Sequence, residues 1–205
     1  MGGETPLQIT HGAIPTAAPA TWMRNAGIVL VGSAFVAVCA HVALPLYFTP
    51  VPLTLQPFAV LLLGLLLAPR LAAGTLAAYL AEGAMGLPVF TPGPVSAFGL
   101  AHLFGPTGGY LLAYPVAAML ISLLWRRGGR GFGLALVSAA AGDLMILVGG
   151  ALWLSILTHA PAQMVLTQSI FPFLPGDALK VAAAAALAAG WQRLRRSNPP
   201  PHLTN

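Results

Sequence analysis

Apolar stretches broken by proline, glycine or arginine run through most of this chain. The first, Asn25–Leu46, predicts a helix and leads into a Pro-rich loop from Pro50 to Gln56. A short apolar run over Gln56–Ala68, closed by Pro69 and Arg70, predicts a second helix, and Leu71–Leu87 a third. A connection rich in proline and glycine then extends from Pro88 to Pro106. A fourth helix is predicted over Thr107–Trp125, ended by Arg126, Arg127 and Arg130, and a fifth over Phe132–Leu154. Ser155–Phe173 is only weakly apolar and carries Pro161 and Pro172. The sixth helix, Pro175–Leu194, ends among Arg193, Arg195 and Arg196. Several of these runs approach or exceed the ~18–20 residues that cross a bilayer. The pattern predicts an all-α integral membrane protein of six transmembrane helices.

Composition removes the soluble alternative. Of the 205 residues, 58% are hydrophobic and 6% charged. A water-exposed surface cannot be covered with so few charges, since soluble domains carry about 25%. The net charge of +5 would otherwise suggest nucleic acid as a partner. That reading is excluded, because the arginines flank apolar segments in the manner of cytoplasmic loops. The lone cysteine, Cys39, leaves no intrachain disulfide to form.

The basic residues also set the orientation. Arg24, Arg70, Arg126, Arg127, Arg130, Arg193, Arg195 and Arg196 make up eight of the nine. With six spans and the N-terminus inside, all eight fall on the cytoplasmic side, and both termini are cytoplasmic. The expected organisation is a disordered cytoplasmic tail over 1–24, including His11, a membrane domain over 25–196, and a second tail over 197–205. Arg24 before an apolar run imitates a signal peptide, but the run is too long for one and further spans follow.

The ninth basic residue, Lys180, lies inside the sixth apolar run. Charges within a span are costly and face a cavity or a partner. Glu82, Asp143, Asp177 and Lys180 all fall there, and three of them, excepting Asp143, project to the outer half. Asp177 and Lys180 are three apart and share a helical face. Pro175 and Gly176 precede them as a helix start, placing Asp177 at the positive end of the helix dipole. The pair is either an ion pair tethering the helix end or the polar floor of a ligand site. Glu82 adds a negative charge to such a site unless it is protonated by desolvation or points elsewhere. Asp143 is expected to pack against a neighbouring helix rather than to bind ligand.

The outer connection supplies Phe90, Phe98, Phe104 and Tyr110 as aromatic surface, with prolines and glycines shaping the backbone. It is expected to cap an outer vestibule, because loops at membrane depth must line a cavity or pack on protein. Gly108 and Gly109 beside Tyr110 are expected to bring lid backbone close to a ligand or tightly onto the fourth helix, so that Gly109→Val weakens binding in a folded protein. The sequence holds no G-x-x-x-x-G-K-[ST] for ATP, no H-E-x-x-H and no Gly-x-Ser-x-Gly. His41, His102 and His159 lie toward the outside in no metal-ligand spacing and are expected to be interface histidines. No cofactor is implied.

Four ordered stretches carry a resemblance. Pro50-Val-Pro-Leu-Thr-Leu-Gln56, Gly83-Ala-Met-Gly-Leu-Pro-Val-Phe90, Gly105-Pro-Thr-Gly-Gly-Tyr110 and Pro175-Gly-Asp-Ala-Leu-Lys180 resemble the signatures of the BioY family. These are biotin-specific S components of energy-coupling factor (ECF) transporters. The resemblance spans roughly Asn25 to Arg196. It implies a six-helix S-component fold with an outward pocket, biotin as ligand, and a transmembrane T component and cytoplasmic ATPase subunits as partners. It also implies that Asp177 and Lys180 contact biotin. Gln56, Glu82, Phe90, Thr107, Gly109 and Tyr110 complete the expected substrate-binding set. Docking on the T component is expected through small residues of the first helix, Ser33/Ala37 and Cys39/Ala43.

Biotin offers an apolar bicycle and chain, a carboxylate, and a ureido group with two donors and one acceptor. Lys180 clamping the carboxylate while Asp177 orients it is favoured over a ureido contact, because a buried ammonium is best offset by a full opposite charge. An S component for another anionic vitamin is the nearest alternative. An intramembrane enzyme using Glu82, Asp177 and the outer histidines is the alternative of a different class.

Overall fold

The computed structural model describes residues 19–92 and 99–197. Helix α1 runs over Pro19–His41 and is followed by strands β1, Ala43–Leu44, and β2, Leu53–Thr54. Then come α2 (Gln56–Leu66), α3 (Pro69–Ala84), α4 (Leu100–Leu103), α5 (Gly108–Arg126), α6 (Phe132–Thr158), α7 (Ala162–Ser169) and α8 (Leu174–Ser197). The two strands pair antiparallel, Ala43 with Thr54 and Leu44 with Leu53. The Pro-rich loop expected before α2 is thus the return arm of a small hairpin, a minor departure from an all-α chain.

Proline sets two of the helix starts. Pro57 and Pro69 occupy the first turns of α2 and α3, where a missing N–H costs nothing. At the far end of α6, His159 takes a left-handed conformation, φ 52°, and its N–H caps Ser155 O. That turn carries α6 four residues beyond its predicted end. The first helix is displaced the other way. It starts at Pro19, inside the expected tail, and stops at His41, because the hairpin claims Ala43 and Leu44.

Three helices among the described residues are long and apolar enough to cross a membrane: Thr21–His41, Gly108–Arg126 and Phe132–Thr158. Ala162–Ser169 and Leu174–Arg195, bent by 48° at their junction, add a fourth if taken as one span. By length, α2 with 11 residues and α3 with 16 rise only ~16 and ~24 Å. Both are shorter than the ~30 Å hydrocarbon core. The outer surface suits lipid: Leu144, Val148 and Leu152 form an exposed row along α6, an apolar stripe that water would not favour.

Two apolar clusters hold the bundle. Val36, Ala59, Leu76, Tyr79, Tyr114 and Ile146 belong to the first, which ties α1, α2, α3, α5 and α6. Leu61, Leu65, Ile121, Trp125, Ala139, Ala184 and Ala188 belong to the second, which ties α2, α5, α6 and α8. On α1, Ser33 and Cys39 are buried within this bundle. The two small-residue rows expected to dock on a partner therefore begin on residues that face the chain's own core. The outward face of α1 carries Gly27, Leu30, Val31, Ala34 and Val38 instead.

Candidate functional site

Three helix faces and the start of a fourth helix converge on one pocket with about 530 Å³ of space, its open mouth included. Its walls show helical spacing. Thr107, Tyr110, Leu111 and Tyr114 come from the start of α5, Asp143, Ile146 and Leu147 from the middle of α6, and Asp177 and Lys180 from the first turns of α8. Gln56 and Pro57 open α2 beneath Val51, Pro52 and Thr54 of the hairpin region, and Phe173 lies just before α8. The mix of apolar walls with a few polar groups is the usual one for a small-molecule site.

Asp177 and Lys180 meet as their spacing predicts. Lys180 Nζ donates to Asp177 Oδ1 at 2.9 Å, and both side chains are buried. An ammonium and a carboxylate so enclosed are tolerable only together, since either alone leaves an uncompensated charge. Helical geometry does the positioning: one turn separates the two residues, and Asp177 N bonds Phe173 O to continue the helix.

Gln56 is the hub of a second polar set. Its Nε2 donates to Tyr79 Oη at 2.7 Å, and Tyr79 Oη donates to Val89 O at 3.0 Å. Its Oε1 accepts from Thr91 Oγ1 at 2.9 Å and Thr54 Oγ1 at 3.3 Å. Three stretches of chain, the β2–α2 junction, α3 and residues 89–91, are tied together through this amide and the Tyr79 hydroxyl, which rigidifies this wall. Thr107 lines the cavity with its Oγ1 3.4 Å from His102 Nε2. Tyr110 donates from Oη to Ser169 O at 2.6 Å, joining α5 to α7 across the cavity rim.

Three expected site residues stand outside the lining. Glu82 turns toward α1, where Ser33 Oγ donates to its Oε1 at 2.9 Å. The helical phase of α3 explains this, because Tyr79 and Gly83, one turn apart, take the inward face. Phe90 sits behind the wall. It stacks on the ring of His102 at 4.8 Å, meets Tyr79 edge-on at 5.5 Å, and lies on Gly83, where any Cβ would collide with its ring. Gly109 belongs to the contact between α5 and α6. A Cβ there would fall 2.5 Å from Gly149 O and against Trp153, so its smallness serves helix approach rather than a lid.

Other expectations resolve as follows. His41 and His159 are exposed, but His102 is buried and lines the cavity. Phe104 is exposed and contributes nothing to the lining. Pro94 and Phe98 fall outside the described residues. Asp143, expected to pack on a neighbouring helix, faces the cavity; its Oδ1 is buried with no hydrogen-bond partner among the described residues. Tyr114 and Phe173 were also missed. The signal for Asp143 was present in the sequence, an acid at mid-span, but its phase on α6 is set by packing against α5.

A bundle of apolar helices around a polar-floored cavity is the architecture of a multi-pass membrane protein, and the cavity is its candidate small-molecule site. The comparisons narrow that class. The BioY family model matches residues 11–197. A protein named "Probable biotin transporter BioY" from Pyrococcus horikoshii is 37% identical over 68% of this chain and 79% of its own length. One named "Biotin transporter BioY" from Thermotoga maritima is 34% identical over 79% of this chain and 92% of its own. The crystal structure of "the S-component for biotin from an ECF-type ABC transporter" superposes with a TM-score of 0.77 at 25% identity. It covers 87% of this chain and 95% of that one. This chain belongs to the BioY family.

Proposed function

We propose that this protein binds biotin in the cavity between α2, α5, α6 and α8 as the S component of an ECF transporter. In this reading a transmembrane T component and cytoplasmic ATPase subunits drive import, and the protein spans the inner (cytoplasmic) membrane of a bacterial cell. The observation that carries it is the buried Lys180–Asp177 pair on the wall of an otherwise largely apolar and aromatic cavity, within a fold shared with a biotin S component. Tyr110, Tyr114 and Phe173 offer surface for the bicycle, and Leu111, Ile146 and Leu147 suit an aliphatic chain. Gln56 and Thr107 supply polar contacts. Glu82, Phe90 and Gly109 support the walls from behind.

The names of the relatives are those of transporters, and the enzyme reading loses its constellation. Glu82 bonds Ser33 away from the cavity and His41 and His159 are exposed, which leaves only Asp177 and His102 of that set on the wall. The full purified chain should bind biotin at one per protein without consuming ATP, since the sequence has no P-loop. Accumulation in proteoliposomes should require the T component and ATPases. ATP hydrolysis by the pure protein, or chemical change of the bound ligand, would refute the assignment.

Six membrane segments with both termini cytoplasmic remain the favoured arrangement. The short α2 and α3 then count as partial or tilted segments, and the arginine distribution sets the orientation. In a Cys39-free background, cysteine at exposed Thr158 should react with an impermeant thiol reagent applied outside sealed cells. Cysteine at Gly129, where a side chain meets open space, should be spared. Labelling at 129 but not 158 would invert the topology.

A further inference from the structure

The buried Asp143 carboxylate is the polar group that the proposed contacts leave unexplained. It stands at mid-helix on α6, 7% exposed, on the wall of the same cavity as Asp177 and Lys180. Its Oδ1 is buried and has no hydrogen-bond partner among the described residues. An unpaired buried acceptor is costly to the empty protein. An atom left in that condition while facing a ligand cavity is suited to a donor brought by the ligand.

The nature of that donor follows from the neighbours. Asp177 Oδ1 is engaged by Lys180, and the ammonium has further N–H groups to give. The cavity wall carries two carboxylates, one ammonium that is already paired, and the imidazole of His102 beside Thr107. A ligand carboxylate brought here would find the ammonium already paired and a second acid beside it. The wall offers two carboxylate acceptors and one ammonium donor, which match in kind the two N–H groups and one C=O of a cyclic urea.

We propose that Asp143 is a specificity residue for the ureido end of the ligand, accepting one N–H while Asp177 accepts the other and Lys180 donates to the carbonyl oxygen. The assignment rests on the reading of the cavity as a biotin site. It reverses the carboxylate clamp favoured on sequence grounds for Lys180. The ligand carboxylate then lies away from this floor.

The test uses the full-length protein in detergent and three ligands. These are biotin and the two cyclic carbamates in which one or the other ureido N–H is replaced by ring oxygen. Asp143→Leu should weaken biotin about 10- to 100-fold, the range for losing a hydrogen bond to a charged group. Its thermal unfolding temperature without ligand should be unchanged or higher, because an unsatisfied buried acceptor has been removed. Asp143→Asn keeps an acceptor oxygen and should bind biotin much more tightly than the leucine variant. The parent should discriminate against both carbamates. Asp143→Leu should lose its discrimination against one of them and keep it against the other.

If Asp143→Leu binds biotin as the parent does, or stays sensitive to both carbamates, the assignment is wrong while the biotin reading stands. A leucine variant that unfolds well below the parent, with Asp143→Asn no better at binding, makes Asp143 a structural group and overturns the assignment. A parent that binds no biotin overturns the underlying reading and this assignment together.

Discussion

Replacing Lys180 by methionine is expected to weaken biotin binding by about 2–5 kcal/mol, roughly 30- to 5,000-fold, the range for breaking a buried, hydrogen-bonded charge pair. Two effects combine. The ligand loses an ammonium donor, and Asp177, 3% exposed and bonded to Lys180 at 2.9 Å, is left as a buried unpaired carboxylate. The second effect acts on folding as well, so the variant should also unfold more easily without ligand. The double variant Lys180→Met/Asp177→Leu separates the two. Removing both charges together is often neutral for stability, so the double variant should regain thermal stability and still fail to bind. Recovery of both stability and binding would reduce the pair to a tether between turns of α8.

The same variant decides which end of biotin the pair serves. Under the ureido assignment, biotin and its methyl ester lose affinity by the same factor in Lys180→Met, because the missing ammonium never met the carboxylate. Under a carboxylate clamp, the parent prefers the free acid and the variant loses that preference. Equilibrium binding of both compounds to both proteins gives the ratio directly. A collapse of the acid-to-ester ratio in the variant would restore the clamp and displace the ureido assignment of Asp143 with it.

What the sequence disclosed depended on whether a contact was local. Asp177 and Lys180 were legible because a spacing of three on a helix fixes their meeting. Gln56, Thr107 and Tyr110 were legible through motif resemblance, and they line the cavity. Where helical phase is set by a distant partner, the reading failed. Glu82 and Asp143 are both acids within apolar helical runs, yet α3 turns one toward Ser33 and α6 turns the other to the cavity. Nothing within either segment distinguishes them, since each phase depends on which neighbours fill the opposite face. The small residues of α1 misled for the same reason. Spacing identifies a face but not its occupant, and Ser33 and Cys39 face inward. Helix ends shifted where a turn intervened, as at the β1–β2 hairpin and at the left-handed His159.

Gly109→Val carries the second large effect, and its expected signature differs from that of a lid residue. Helices α5 and α6 pack tightly where glycines face each other's chains. Gly109 lies against Gly149 O and Trp153, and Gly150 lies under the Tyr110 ring. A Cβ at 109 would sit 2.5 Å from the Gly149 carbonyl, which belongs to the backbone of a helix and cannot rotate away. The two added methyls of valine enlarge the collision, so α5 must move off α6. Overpacking of this kind costs about 1–3 kcal/mol, occasionally more. The same displacement carries Thr107, Tyr110 and Tyr114 out of the cavity wall. Thermal unfolding in detergent should therefore drop together with biotin affinity, and Gly109→Ala should give a smaller change in the same direction for both. Sequence reading alone expected weaker binding in a protein that stays well folded. Normal stability with lost affinity would support that lid role and count against the helix contact as the reason for this glycine. An unchanged variant by both measures would mean that α5 and α6 can separate at this point without cost to the site.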